Sequence, residues 1–73
     1  MSRYEIKSDV TGTVWKIEKK IGDKVVEGDE ILILESMKME IPAIATGAGT
    51  LTEILVEEET SVEEGQTVAI VEG

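Results

Sequence analysis

The chain has 73 residues, neither cysteine nor histidine, and a formal charge of −9. That length gives room for one domain with one modest core, and the missing residue types remove disulfides, thiolate chemistry, imidazole bases and the usual ligands of transition metals. The acidity argues against nucleic acid and anionic membranes as partners, because binding phosphate needs clustered lysine and arginine.

Taken in order, Tyr4 and Ile6 alternate with polar neighbours, which predicts a short half-buried strand before a loop around Ser8 and Asp9. From Gly12 the run Thr-Val-Trp-Lys-Ile is rich in strand formers. Its apolar residues Val14 and Ile17 lie three apart, where a regular strand spaces them by two, so a bulge is expected. Trp15 is expected to pack against the barrel rather than to mark a ligand site. Gly22-Asp23 and Gly28-Asp29 are turn signals, with Val25 between them on a very short strand. Glu30 to Leu34 fits either a buried strand or a helix running on through Lys38, and Pro42 decides for the strand because it would break such a helix.

The chain then repeats itself. A strand is expected after Met39, and from Gly49 the run Thr-Leu-Thr-Glu-Ile again spaces its apolar residues, Leu51 and Ile54, by three. Ser61-Val62-Glu63-Glu64 has the form of a helix capping box, but Gly65 follows at once and leaves no helix to cap. Glu59 stands where the first half has Gly22, so a different turn geometry is expected there. Val68 to Val71 ends the chain as a strand. Sliding residues 12–36 by 37 positions lays them on residues 49–73 without a gap. Gly12, Thr13, Ile17, Val25, Glu27, Gly28, Ile33 and Glu35 then meet identical residues, and Val14/Leu51, Ile31/Val68 and Leu34/Val71 are apolar exchanges. Two similar all-β halves related by an approximate two-fold follow from this.

Lys38 lies at the junction, in a short turn between the halves. It is also the only cation of residues 37–73, which carry a net charge of −7 against −2 for residues 1–36. A lysine in a turn is ordinarily just a solvated residue. Here the repeat and the flanking methionines make it the candidate for the working atom. Met37 and Met39 have the flexibility of core fillers, but beside an exposed turn at least one of them is expected to form a recognition surface. The longest apolar run is four residues, and with no basic and apolar leader or lipidation pattern the chain is expected to be soluble and cytoplasmic.

The stretch Glu35-Ser36-Met37-Lys38-Met39-Glu40 resembles the attachment motif of the biotinyl/lipoyl domain family, in its biotin carboxyl carrier form. The resemblance covers essentially the whole chain: the paired Gly-Asp turns, the spacing of Val25 and Gly28, Ile41-Pro42 and Gly65. It implies one attachment domain over residues 1–73, a flattened β-barrel or sandwich of two interleaved four-stranded halves with Lys38 on a hairpin turn. It implies further that Lys38 receives biotin covalently, that Met37 and Met39 flank it for recognition, and that Ser36, Glu35 and Glu40 complete the motif. The implied partners are biotin protein ligase, biotin carboxylase and carboxyltransferase, with the chain a carrier that catalyses nothing itself. A lysine amine is ordinarily protonated near neutral pH, so the ligase must activate it. A monomer is expected, its strand edges closed by the pseudo-two-fold.

Two departures from the family pattern stand out. Ser36 replaces the usual alanine, a small-for-small exchange expected to leave the turn unaltered. The protruding thumb of some carriers is missing, since the 37-residue offset runs unbroken through residues 18–25 and 55–62. Related lipoyl domains usually place aspartate before the lysine and alanine after it, so Met37 and Met39 favour biotin. Some short attachment proteins of the family also take lipoate, which keeps a lipoyl carrier of an oxo-acid dehydrogenase or glycine-cleavage-like system as a second reading. A third is an unmodified β-domain that binds protein partners.

Overall fold

A computed structural model describes residues 2–73. The eight strands are β1 (Arg3–Lys7), β2 (Gly12–Ile17), β3 (Lys24–Val25), β4 (Glu30–Ser36), β5 (Met39–Ile44), β6 (Gly49–Ile54), β7 (Ser61–Val62) and β8 (Thr67–Glu72). They form two antiparallel sheets, ordered β1-β8-β6-β3 and β5-β4-β2-β7. Each sheet takes two strands from each half of the sequence, so the halves interleave as expected. The two sheets are not joined by strand pairing into one closed barrel; β1, β3, β5 and β7 remain edges. Of these, β3 and β7 have two residues each and β5 carries Pro42, which lacks the amide needed to extend the sheet.

The 37-residue offset is obeyed down to irregularities. The register of β2 on β4 slips between Val14 and Lys16, and that of β6 on β8 slips between Leu51 and Glu53, which are the equivalent places. These are the bulges that the apolar spacing of three predicts. Inside the sandwich Val14, Val25, Ile31 and Leu34 are buried together with their mates Leu51, Val62, Val68 and Val71. Fully burying each such side chain stabilises the fold by about 1.5–3 kcal/mol. Ile31, Leu32 and Leu34 of β4 and the four consecutive residues Val68 to Val71 of β8 thus supply much of the core, and the bulges bend each sheet around it.

Four β-turns of one design connect the short strands. In Lys20–Asp23, Val26–Asp29, Glu57–Thr60 and Glu63–Gln66 the fourth amide donates to the first carbonyl at 3.0, 3.0, 3.3 and 3.0 Å. The third residue has positive φ in every one: Gly22 at 99°, Gly28 at 94°, Glu59 at 70° and Gly65 at 86°. The fourth residue's side chain closes three of these turns a second time, with Asp23, Asp29 and Gln66 each accepting from the first amide at 2.9 Å. The altered geometry expected at Glu59 does not occur. The contacts of the repeated loop hold it in the left-handed region, because Glu59 N donates to Val14 O at 2.7 Å just as Gly22 N donates to Leu51 O at 2.7 Å.

Trp15 is a second correction. It stays 48% exposed and is not packed against the core. The bulge of β2 turns Val14 inward and leaves the next residue on the outer face, where nothing covers an indole.

Candidate functional site

β4 and β5 form the hairpin that bears the motif. Their pairing runs Leu34 with Ile41, Glu35 with Glu40 and Ser36 with Met39, leaving a two-residue loop of Met37 and Lys38. Both loop residues are left-handed, with φ of 51° and 65°. Two successive positive φ values are the mark of a type I′ turn, whose twist matches the strands it joins and which normally takes Asn-Gly. Methionine and lysine lack glycine's freedom, and each left-handed residue costs roughly 1–2 kcal/mol. The strands therefore impose the turn against the preference of the residues in it, which fixes the direction in which the Lys38 side chain leaves the backbone.

The side chains around the turn point into solvent. Met37 is 91% exposed and Met39 63% exposed, so both methionines, not only one, are surface. Lys38 is exposed and makes no ion pair among the described residues. Glu35 and Glu40 lie directly opposite one another across the hairpin, both exposed. Two like charges so placed disfavour the pairing slightly and give the single cation beside them an acidic surround.

Ser36 does more than fill a small site. Its hydroxyl donates to the Thr11 carbonyl at 3.1 Å, tying the hairpin to the loop between β1 and β2. Thr11 Oγ1 in turn accepts from the Glu64 amide at 3.1 Å, which brings in the loop between β7 and β8. Next to it, Gly12 passes so close to β4 that a Cβ there would overlap the Glu35 carbonyl oxygen. Thr11 and Gly12 thus buttress the turn from below. Gly12 was legible through its repeat mate Gly49; Thr11 was not, since its mate is Ala48.

The same offset places the turn relative to the chain ends. Ser36 and Met39 correspond to Gly73 and Ser2, which pair through Gly73 N to Ser2 O at 2.8 Å and Ser2 N to Gly73 O at 3.3 Å. Gly49, beside Glu72, pairs with Val25 next to the Gly28–Ala45 contact, at the end of the sandwich away from Gly12 and Ser36. The lysine turn and the paired ends therefore occupy opposite poles of a body measuring 36 × 19 × 18 Å.

Residues 5–71 match the sequence model of the biotinyl/lipoyl family, described as biotin-requiring enzyme. The chain belongs to this family. A biotin/lipoyl attachment protein of Bacillus subtilis is 42% identical over 59 residues, covering 81% of either chain. A biotinylated protein of Mycobacterium leprae is 30% identical over 67 residues, covering 92% of this chain and 94% of its own. Among solved structures, Kluyveromyces lactis urea carboxylase matches with a TM-score of 0.92 and 35% identity, over 97% of this chain and 6% of that one. The chain is thus an attachment domain of the kind that carries biotin or lipoate, and such domains are carriers rather than catalysts.

Proposed function

We propose that Lys38 carries biotin and that the domain shuttles a carboxyl group between a biotin carboxylase and a carboxyltransferase. The observation that carries this reading is the presentation of Lys38: an exposed amine on a two-residue left-handed turn, between two exposed methionines, at the pole opposite the paired ends. The ligase would accept one proton from the Lys38 ammonium, and Nζ would then form an amide with the carboxyl carbon of biotin as the activated carboxyl loses its leaving group and the nitrogen gives up a second proton to the ligase or solvent. Bound biotin supplies a ring that takes up and releases a carboxyl group. The chain's own residues contribute position. The stiff hairpin aims the arm, and tethering raises its effective concentration at both enzyme sites to roughly the millimolar range.

The structure fits such a group. Nothing buries the Lys38 amine, and the pole around it is open on the side away from Thr11 and Gly12. Biotin is favoured over lipoate by the methionines and by likeness to a biotinylated protein and to a urea carboxylase. The name of the Bacillus subtilis relative keeps lipoate as a second reading.

Intact mass after incubation with biotin protein ligase, biotin and ATP, and separately with lipoate ligase and lipoate, tests the proposal. One biotin adduct, mapped to Lys38 and lost in Lys38→Arg, is expected. An adduct on Lys16, Lys19, Lys20 or Lys24 sinks the site. A lipoyl adduct alone sinks the choice of cofactor, and an unmodified chain in both reactions leaves the reading as an unmodified binding domain.

A further inference from the structure

The pseudo-two-fold gives each outer face an internal control, because every position on one sheet has a mate on the other. Across β2, β4 and β5 runs the row Lys16–Ile33–Pro42. Its mate across β6, β8 and β1 is Glu53–Ile70–Glu5. Beside these rows, Trp15 corresponds to Thr52 and Ile44 to Lys7. The face without Lys38 is closed by polar contacts. Thr52 Oγ1 donates to the Ile70 carbonyl and to the Glu72 carboxylate at 3.3 Å each, Thr67 Oγ1 donates to Glu5 at 3.2 Å, and Arg3 meets Glu53 at 3.9 Å. Ile70 is buried beneath them. On the face that carries the Lys38 hairpin no side-chain hydrogen bond or ion pair joins the corresponding residues among those described. Trp15 and Ile44 remain 48% and 45% exposed, Pro42 is exposed and Ile33 is half-buried.

Single exposed apolar residues need no explanation, but here they are neighbours in one row and the row beside it. Acids bound the patch at both ends along the strands, Glu35 and Glu40 toward Lys38 and Glu30 opposite Ile44, while the exposed Lys16 borders it on the β2 side. A second copy of this chain is a poor occupant, because either two-fold arrangement sets acids against acids. A partner with an apolar centre and lysine or arginine at the two margins that meet Glu30 and the Glu35–Glu40 pair fits.

Resting on the function proposed above, we infer that this face is the docking surface of the ligase that modifies Lys38. Unmodified, the amine reaches outward by one side chain only, so its enzyme must seat against the body of the domain. The enzymes that act afterwards meet a longer arm. Ile44 lies five residues along β5 from Met39, roughly 17 Å at the rise of a strand, well inside the footprint of about 800 Å² that a stable interface takes from each partner.

The test is the steady-state kinetics of biotinylation, with biotin protein ligase, biotin and ATP, of the unmodified parent chain and of variants that give this face the residues of its mate. Ile44→Lys, and Trp15→Thr combined with Ile44→Lys, should raise KM for the domain about threefold and at least tenfold, with kcat within twofold. Lys7→Ile, which makes the opposite change on the other face, should leave KM unaltered. Urea unfolding midpoints establish that each variant is folded; should the double variant unfold, Ile44→Lys alone decides. Parent chain biotinylated with variant KM values within twofold of it overturns the docking surface and leaves the carrier reading standing. A fall in kcat at constant KM overturns it equally. A parent chain that takes no biotin overturns both.

Discussion

At the scale of single residues, the strained turn sets stability against recognition. Met37 occupies a left-handed position that asparagine fills more readily, and its side chain touches little of the protein because it is almost wholly exposed. Met37→Asn should therefore raise stability by about 0.5–1 kcal/mol, read as a higher urea midpoint, while slowing biotinylation at least tenfold. A variant that is both more stable and modified at the parent rate would show that Met37 serves no recognition. Ser36 makes the opposite kind of contribution. Ser36→Ala removes the bond to Thr11, and since the site is partly exposed the loss should sit near the lower end of about 0.5–1.5 kcal/mol. Here the sequence misled in a specific way: serine for alanine reads as small for small, and only the position of Thr11 reveals a hydroxyl with a partner. Glu59 misled likewise, because its conformation is dictated by a neighbouring strand and not by its own preference. Its replacement by glycine should stabilise the chain by about 0.5–1 kcal/mol, the relief of left-handed strain less the greater entropy of unfolded glycine.

At the scale of elements, the hairpin converts strand alternation into direction. β4 and β5 pair up to Ser36 and Met39, so the turn has no slack, and its two residues project differently from one another. The double exchange Met37→Lys with Lys38→Met keeps composition, charge and an exposed turn, and circular dichroism should show the same fold. Its biotinylation should nevertheless fall at least a hundredfold, since misplacing a reacting atom by about 1 Å already costs that much. Equal rates for parent and exchange would mean that the motif works as a linear tag and that the scaffold is incidental. Strands, short connecting turns and both bulges were legible at this scale, because apolar spacing, glycine positions and a repeat of 37 residues all express backbone geometry directly. The left-handed lysine turn was not. Methionine and lysine carry no preference for that conformation, so only the pairing of the flanking strands discloses it. Trp15 escaped for a related reason, since a bulge is visible in spacing but the face its extra residue occupies is not.

At the scale of the whole molecule, interleaving makes the repeat indivisible. Within the first half only β2 and β4 are neighbours in a sheet, and within the second only β6 and β8; all other strand pairs cross between halves. A two-stranded piece is barely stable alone, so neither half has an independent fold to fall back on. A chain of this length has a total stability of about 4–11 kcal/mol, and Leu34→Ala in the buried centre should cost about 2–5 kcal/mol of it. Because the loss cannot be confined to the half that suffers it, native-state hydrogen exchange should report equal drops in protection for the slowest amides of β2 and β4 and of β6 and β8. Val71→Ala, the mate of Leu34→Ala in the other half, should lower the same two sets together by a smaller amount, as fewer atoms are removed. Full protection persisting in β6 and β8 while β2 and β4 open would show that the halves unfold separately. In that event the rigid presentation of Lys38, which depends on Gly12 of β2 and on Thr11 in the loop that joins β1 to β2, would need another source.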